Sequence, residues 1–518
     1  MAIAASAGDR VELPTDAGPP TGPYANPDLL PVPVADRTWG TYDFTALWVG
    51  MAHNIPSWTL ASGLVALGMD WKQAVLTIAL ANVIVLVPML LTGHAGPRYG
   101  IPFPVLARAS FGLRGANLPA MVRALVACCW FGIQTWIGGQ GIFVLLDRIL
   151  PGTWSDAHRV GGYPWPLWLC FVLFWALELA IIARGMATLR RFENWAAPFV
   201  LVGAVVLLIW ISVKAGGLGP LLDQPSRLGW GHHFWKVFFP SLMGMIGFWS
   251  TLALNIPDFT RFGAGQRAQA WGQSLGLPTT MTVFALLSVL VTSGAQAVYG
   301  TQDTTLWDPV ALTAKSGSTI GLLYALLTVL IATISVNIAA NVVSPAYDLS
   351  HLAPKLVNFR TGALVTGVLG VVMVPWKLIS TPQIYIFTWL GVVGGVLGTV
   401  AGVLIADYWI VRRTRLHLGE LYDPAGRYWY RGGWNWRAVA AFAVGGLLAV
   451  GGSYSAPGAG PFPRRGLIPF LQPLADYGWA VGLGSALVLY VLLMRTAGRQ
   501  DAQPDAVRET RDSPAGKS

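Results

Sequence analysis

Read as a pattern of apolar and polar positions, the chain alternates long hydrophobic runs with short polar breaks from about residue 40 to residue 496. A run of about 20 apolar residues is what a helix needs to cross the hydrocarbon core of a bilayer. Such runs predict twelve spans, centred near residues 55, 82, 133, 174, 203, 246, 286, 330, 369, 396, 445 and 485. Residues 1–39 are Pro-rich and polar and lack the apolar core and cleavage site of a signal peptide, so they read as a disordered tail, as does the polar segment 497–518.

Two segments set Asn-Ile-Pro against apolar runs: "HNIPSW" (His53 to Trp58) and "LNIPDF" (Leu254 to Phe259). Proline removes a backbone donor and clashes with the preceding turn, so each site must break or end a helix. Pro56 falls near the middle of span 1 and predicts a mid-membrane break. Pro257 falls about 23 residues after span 6 begins at Phe234, roughly 35 Å along a helix, and predicts a stop. The weak point within span 6 is "GMIGFW", where Gly244 and Gly247 each lower helix stability by up to about 1 kcal/mol, and an interruption is expected there too. Interrupted helices at matching positions of two five-helix halves point to an inverted-repeat transporter.

Composition agrees with the spans. The chain is 54% hydrophobic and 11% charged, against about 25% charged in soluble proteins, and its mean hydropathy is +0.55. Its 24 Trp and 60 Gly suit interface anchoring and membrane-helix packing. A pI near 9.6 does not imply nucleic acid, because the basic residues are scattered singly along loops. Allocating Lys and Arg to alternate loops puts 24 on the side of the tails and 10 on the other, which predicts that both termini are cytoplasmic in a cell-membrane protein. Cys128, Cys129 and Cys170 all fall in apolar runs and carry no redox or metal signal.

Polar residues inside the spans are few and mostly uncharged. Span 3, "ALVACCWFGIQTWIGGQGIF", places Trp130 and Gln134 on one face. Thr333, Ser335, Asn337 and Asn341 interrupt span 8, and Trp249 stands beside the glycines of span 6. A membrane-embedded enzyme needs convergent carboxylates, metal-spaced histidines or a nucleophile with a base, and the mid-spans carry none of these. A channel needs a continuous polar lining, which is also missing.

The segment "TGHAGPRYGIPFPVLARASFGLRGANLPA" (Thr92 to Ala120) resembles the nucleobase:cation symporter-1 family, which includes hydantoin, allantoin, uracil and cytosine permeases. The resemblance continues through "CWFGIQTWIGGQ", "LALNIPDFTRF", "SVNIAANVVSPAYDLS" and "GVLIADYWIVRR", and covers roughly residues 37 to 432. It looks most like bacterial allantoin-type permeases and the hydantoin transporter. The resemblance implies an all-α membrane protein with the LeuT-like five-plus-five inverted repeat and two peripheral helices. The repeats would occupy 40–213 and 214–411, followed by a cytoplasmic loop and the peripheral helices at 412–496.

Carried over by resemblance, Trp130 and Trp249 sandwich the substrate ring, Gln134 and Asn341 bond its edge, and Asn54 and Phe248 lie beside it. A flat cyclic ureide or nucleobase offers two π-faces and an N–H beside a C=O, and carboxamides read such an edge without charge. The expected partner is therefore a neutral small molecule, imported by cation-coupled alternating access, with no nucleic acid, no protein partner and no bound cofactor. Allantoin-like or hydantoin-like rings are favoured, and uracil is the alternative. A sodium site would use the carbonyls of Gly50, His53 and Ala332 and the hydroxyl of Ser335, but the second hydroxyl position of sodium-coupled relatives is Val336 here. A hard cation takes several oxygens, so a proton carried by His53 or Glu178 stands as the alternative coupling ion.

Overall fold

In the computed structural model, residues 10–13, 20–150, 154–184, 186–315, 319–456 and 460–498 are described. Eight helices among them are long and apolar enough to cross a membrane: Trp71–Tyr99, Asn117–Ile149, Trp165–Ala183, His232–Thr260, Gln266–Tyr299, Gly321–Leu352, Ile384–Val411 and Gly478–Thr496. Four shorter apolar helices, Ile55–Ala66, Pro198–Lys214, Phe359–Val372 and Trp436–Val450, fall at the four remaining predicted centres. Each of the twelve apolar runs has thus become a helix, and the span numbers are kept below.

Span 1 is broken where its sequence is weakest. The half-helices Thr41–Ala52 and Ile55–Ala66 are parted by His53 and Asn54, and Asn54 is extended at φ −135°, ψ 162°. Its Oδ1 accepts from Ser57 N at 2.7 Å while its Nδ2 donates to Met51 O at 2.6 Å, so one side chain holds both sides of the break. Pro56 sits in the first turn of the second half, where a missing N–H has no helical partner to lose.

Span 6 is not interrupted at its glycines, contrary to the sequence expectation: the helix His232–Asn255 runs through "GMIGFW" unbroken. Gly244 and Gly247 serve close packing instead. A Cβ at Gly244 would lie 2.7 Å from Ile386 O, and one at Gly247 would collide with Leu390 O. Both carbonyls belong to the π-helical turn Ile384–Leu390 that opens span 10. Burial against this turn outweighs the glycines' low helix propensity. The helix ends ahead of Pro257, as read, with a short helix Pro257–Thr260 following.

The N-terminal segment also departs from expectation. Residues 20–39, read as part of a disordered tail, lie across the ends of the bundle. Asn26 Nδ2 donates to Pro354 O at 3.1 Å, and Val32 N to Gly100 O at 2.9 Å. Asp28 accepts from both Arg261 and the amide of Phe359. Arg37, nearly buried, donates to carbonyls of Val11, Val32, Pro97 and Arg98. Of the predicted C-terminal tail 497–518, Ala497 and Gly498 end the last helix, and residues 499–518 lie outside the described residues.

Candidate substrate site

The aromatic residues expected to bind a ring meet Trp48, which lies on the first half of span 1. Phe248 lies edge-on to Trp130 (5.0 Å between centroids, 75°) and to Trp249 (4.9 Å, 86°), so it joins the two indoles expected to sandwich a ligand. Trp48, from the first half of span 1, packs edge-on against Trp249 at 5.2 Å. The sequence reading missed Trp48, since a tryptophan near the start of a span reads as an interface anchor. The cluster is shut: Trp130, Gln134, Phe248, Trp249, Asn54 and Asn341 are each at most 7% exposed. Even so, Gln134 Oε1, Trp249 Nε1 and Trp48 Nε1 are buried without a hydrogen-bond partner among the described residues. Buried polar atoms are nearly always paired with protein or ordered water, so these three are candidate contacts for a ligand's polar atoms.

The two asparagines have different tasks. Each end of the Asn54 side chain makes one bond across the break, so it positions the half-helices and keeps a second N–H and a second lone pair for a ring. Asn341 Nδ2 donates to Asn337 Oδ1 at 2.9 Å, and Asn337 Nδ2 donates to Glu178 Oε1 at 2.8 Å. Thr135, one residue past Gln134, reaches Glu178 Oε2 at 2.6 Å. Glu178 and Asn337 stand out in the sequence singly. Their meeting across 159 positions does not.

A cavity of about 580 Å³ opens on the face away from the N-terminal segment. It is lined by Ile55, Thr59, Ile137, Gln140, Thr292 and Gln383, among others. Ile137 and Gln140 lie one and two turns along span 3 from Gln134, so the cavity floor sits just above the aromatic cluster. Asp303, in a loop at this cavity, is paired with Lys315 at 2.6 Å, which holds its carboxyl down at about 2.

The candidate cation ligands are only partly available. Of the last four carbonyls of the first half-helix, Val49 O accepts from His53 Nδ1 at 2.6 Å, Met51 O from Asn54 Nδ2, and Ala52 O from Asn54 N at 3.0 Å. Gly50 O accepts no hydrogen bond from the described residues outside its helix. Ser335 Oγ makes no hydrogen bond among the described residues, but Ala332 lies inside the unbroken stretch Thr319–Asn341, where its carbonyl has a helical partner. Val336 is buried and adds no oxygen. This donor set suits a hard cation poorly.

Comparison with known proteins identifies the family and the fold. A family model described as permease for cytosine/purines, uracil, thiamine and allantoin matches residues 31–482. The allantoin permease of Bacillus subtilis (strain 168) is 41% identical over 482 residues, which cover 91% of this chain and 93% of that one. The purine-uracil permease NCS1 of Arabidopsis thaliana is 42% identical over 434 residues, 82% of this chain and 71% of that one. Among solved structures, the inward-facing conformation of Mhp1 superposes with a TM-score of 0.75 at 26% identity, covering 96% of this chain and 99% of that one. Mhp1, a nucleobase-cation-symport-1 family transporter, is also known closed around bromovinylhydantoin. The fold is accordingly the LeuT-like five-plus-five arrangement with two peripheral helices. A broken first span, a buried aromatic cluster beneath an open cavity and this kinship lead to one conclusion: the chain belongs to the family of permeases for cytosine/purines, uracil, thiamine and allantoin, and it is a transporter, not an enzyme.

Proposed function

We propose that this permease carries a neutral cyclic ureide, with allantoin or hydantoin favoured, bound between Trp130 and Trp249 and read at its edge by Gln134 and Asn341. The observation that carries this is the set of buried, partnerless atoms Gln134 Oε1 and Trp249 Nε1 inside an aromatic cluster. A ring with N–H and C=O on one edge supplies the missing partners. Phe248 joins the indoles here, so it must swing aside before a ring can stack. The bilayer is the plasma membrane, the N-terminal face is cytoplasmic, and the cavity is the external entrance. Residues 40–213 and 214–411 are the two repeats, with 412–496 peripheral.

Uracil is the second reading, favoured by the 42% identity to a purine-uracil permease. For the coupling ion we favour a proton over sodium, because Val336 leaves the cation site short of oxygens. His53 is its carrier: Nδ1 must donate to Val49 O, since a carbonyl only accepts, and Nε2 keeps a lone pair at the break.

A binding panel of allantoin, hydantoin, uracil and cytosine on purified protein identifies the ring. Trp130→Ala or Trp249→Ala weakens the best ligand by about 1–3 kcal/mol, roughly 5- to 150-fold. Gln134→Leu or Asn341→Leu has an effect of similar size, because ligand polar atoms stay unpaired. Near-normal affinity in both tryptophan variants would remove the indoles from the site.

A further inference from the structure

Glu178 is fully buried in span 4, and the reading of the site gives it no task. Its Oε1 accepts from Asn337 Nδ2, which also reaches Phe131 O at 3.1 Å. That nitrogen also lies 3.4 Å from Thr135 Oγ1, which can accept, and its two nearer neighbours are acceptors, so the Asn337 amide has one orientation: nitrogen toward Glu178, oxygen toward Asn341. Asn341 meets that oxygen with its own nitrogen. Its Oδ1 is thereby turned away and makes no hydrogen bond to the described residues. We infer that Glu178 is a positioning residue that sets the donor–acceptor polarity of the relay Glu178–Asn337–Asn341, so that Asn341 offers the ligand an acceptor and selects rings presenting an N–H there. This rests on Asn341 contacting the substrate, as proposed above.

The relay works with Glu178 as a neutral acid. Among the described residues no charged side chain faces it. From span 3 it meets Thr135; Arg123 lies twelve residues earlier and is engaged with Asp348 at 3.2 Å. From span 8 it meets Asn337, on a helix with no charged residue. Arg360 of span 9 is exposed and donates to Ala183 O, and Lys214 of span 5 is bonded to Tyr299 at the far end. A bare carboxylate here would be a buried charge without a partner, a heavily penalised state. A neutral acid closes the network: its O–H donates to Thr135 Oγ1, whose single proton goes to Phe131 O at 2.8 Å.

The test compares hydantoin or uracil, whichever binds more tightly, with its isosteres in which a ring oxygen replaces one N–H; for hydantoin this is 2,4-oxazolidinedione. The wild-type protein prefers the parent ring by about tenfold or more over the isostere altered at the N–H that Asn341 reads. Glu178→Leu frees the Asn337 amide to turn, so parent affinity falls about tenfold and the preference narrows to under about threefold. Glu178→Gln recovers both to within about threefold, since its Oε1 still accepts from Asn337 and its Nε2 donates to Thr135 Oγ1. Its binding also follows the wild-type pH profile. A folded Glu178→Leu variant that keeps wild-type affinity and preference overturns the relay. If that variant does not fold, Glu178→Gln decides: loss of the preference, or an altered pH profile, overturns the neutral acceptor. Asn341→Leu separates the two levels, because undiminished binding there sinks the site reading itself, whereas weakened binding with an unaltered Glu178→Leu sinks the relay alone.

Discussion

At His53–Trp58 the tripeptide Asn-Ile-Pro separates two half-helices with an extended residue between them, whereas at Leu254–Phe259 the same three residues close one helix and open a four-residue one with the backbone still helical between them. The difference lies in what each asparagine can reach. Asn54 turns extended and caps Ser57 N, so the helix restarts in a new direction. Asn255 stays helical, and Ile256 follows at φ −54°, ψ −27° with its amide still bonded to Leu252 O at 2.8 Å. In the amide orientation its neighbours require, Asn255 Oδ1 accepts from Arg123 Nη2 at 3.0 Å and from Ser344 Oγ. A buried arginine thus holds the second asparagine in its helix, while the first has only its own backbone to bond. Identical local sequence gives a hinge in one setting and a helix-end anchor in the other.

Replacing the two asparagines gives the largest contrast. Asn54→Ala loses a cap worth about 1 kcal/mol and strips Met51 O of its buried partner at about 1–3 kcal/mol. The expected loss of stability is about 2–4 kcal/mol, with ligand affinity down at least about tenfold because Trp48 and Gly50 lose their positions. Asn255→Ala removes a bond to a charged group, costing about 1.5–3 kcal/mol, yet leaves span 6 intact. Its ligand affinity should stay within about threefold. Thermal unfolding in detergent with a binding isotherm on each variant checks both; equal losses of affinity would erase the distinction between hinge and anchor.

The glycines of the same two spans give a second, smaller contrast. A Cβ at Gly50 meets nothing within 4 Å, so Gly50→Ala should fold as well as wild type or gain up to about 1 kcal/mol from better helix propensity. Gly247→Ala drives a methyl into Leu390 O and the backbone of Gly394, and should lose about 1–3 kcal/mol to overpacking. Opposite shifts in the unfolding temperature are expected. A stabilised Gly247→Ala would mean that span 6 does not need its close approach to span 10.

The sequence made the helices legible because a twenty-residue apolar run in a membrane has one outcome, and the hinge in span 1 because Pro56 sits in its middle. It misled at Gly244 and Gly247 because propensity is a local quantity, while the packing partner is about 140 residues away at Ile386 and Leu390. It misled again at residues 20–39, whose polar composition reads as disorder although their partners are backbone carbonyls and charged side chains of distant loops. Within the candidate site, Trp, Gln and Asn stand out in the sequence as uncommon residue types inside apolar runs. That Asn54 is tied to the break and that Phe248 joins the indoles are matters of side-chain direction, which no spacing encodes.

The smallest expected effect concerns the ion, and it returns to the hinge. The break frees Gly50 O, and Ser335 Oγ makes no bond among the described residues, the beginnings of a sodium site, yet Val336 stands where the family resemblance places a second hydroxyl. Sodium should therefore raise ligand affinity less than about tenfold, under about 1.4 kcal/mol of coupling, and by reciprocity the ligand should improve sodium binding by the same small factor. Binding in sodium against choline buffer measures the first, and sodium titration with and without ligand measures the second. Val336→Thr adds the missing oxygen beside the hinge and should create sodium dependence that the wild-type protein lacks. His53→Asn should remove the response of uptake to a pH gradient while leaving the small sodium effect alone. Strong sodium enhancement in the wild-type protein, with uptake indifferent to collapse of the proton gradient, would mean that the carbonyls freed by the hinge and Ser335 suffice; the ion would then be set by the backbone of the break, not by the hydroxyls of span 8.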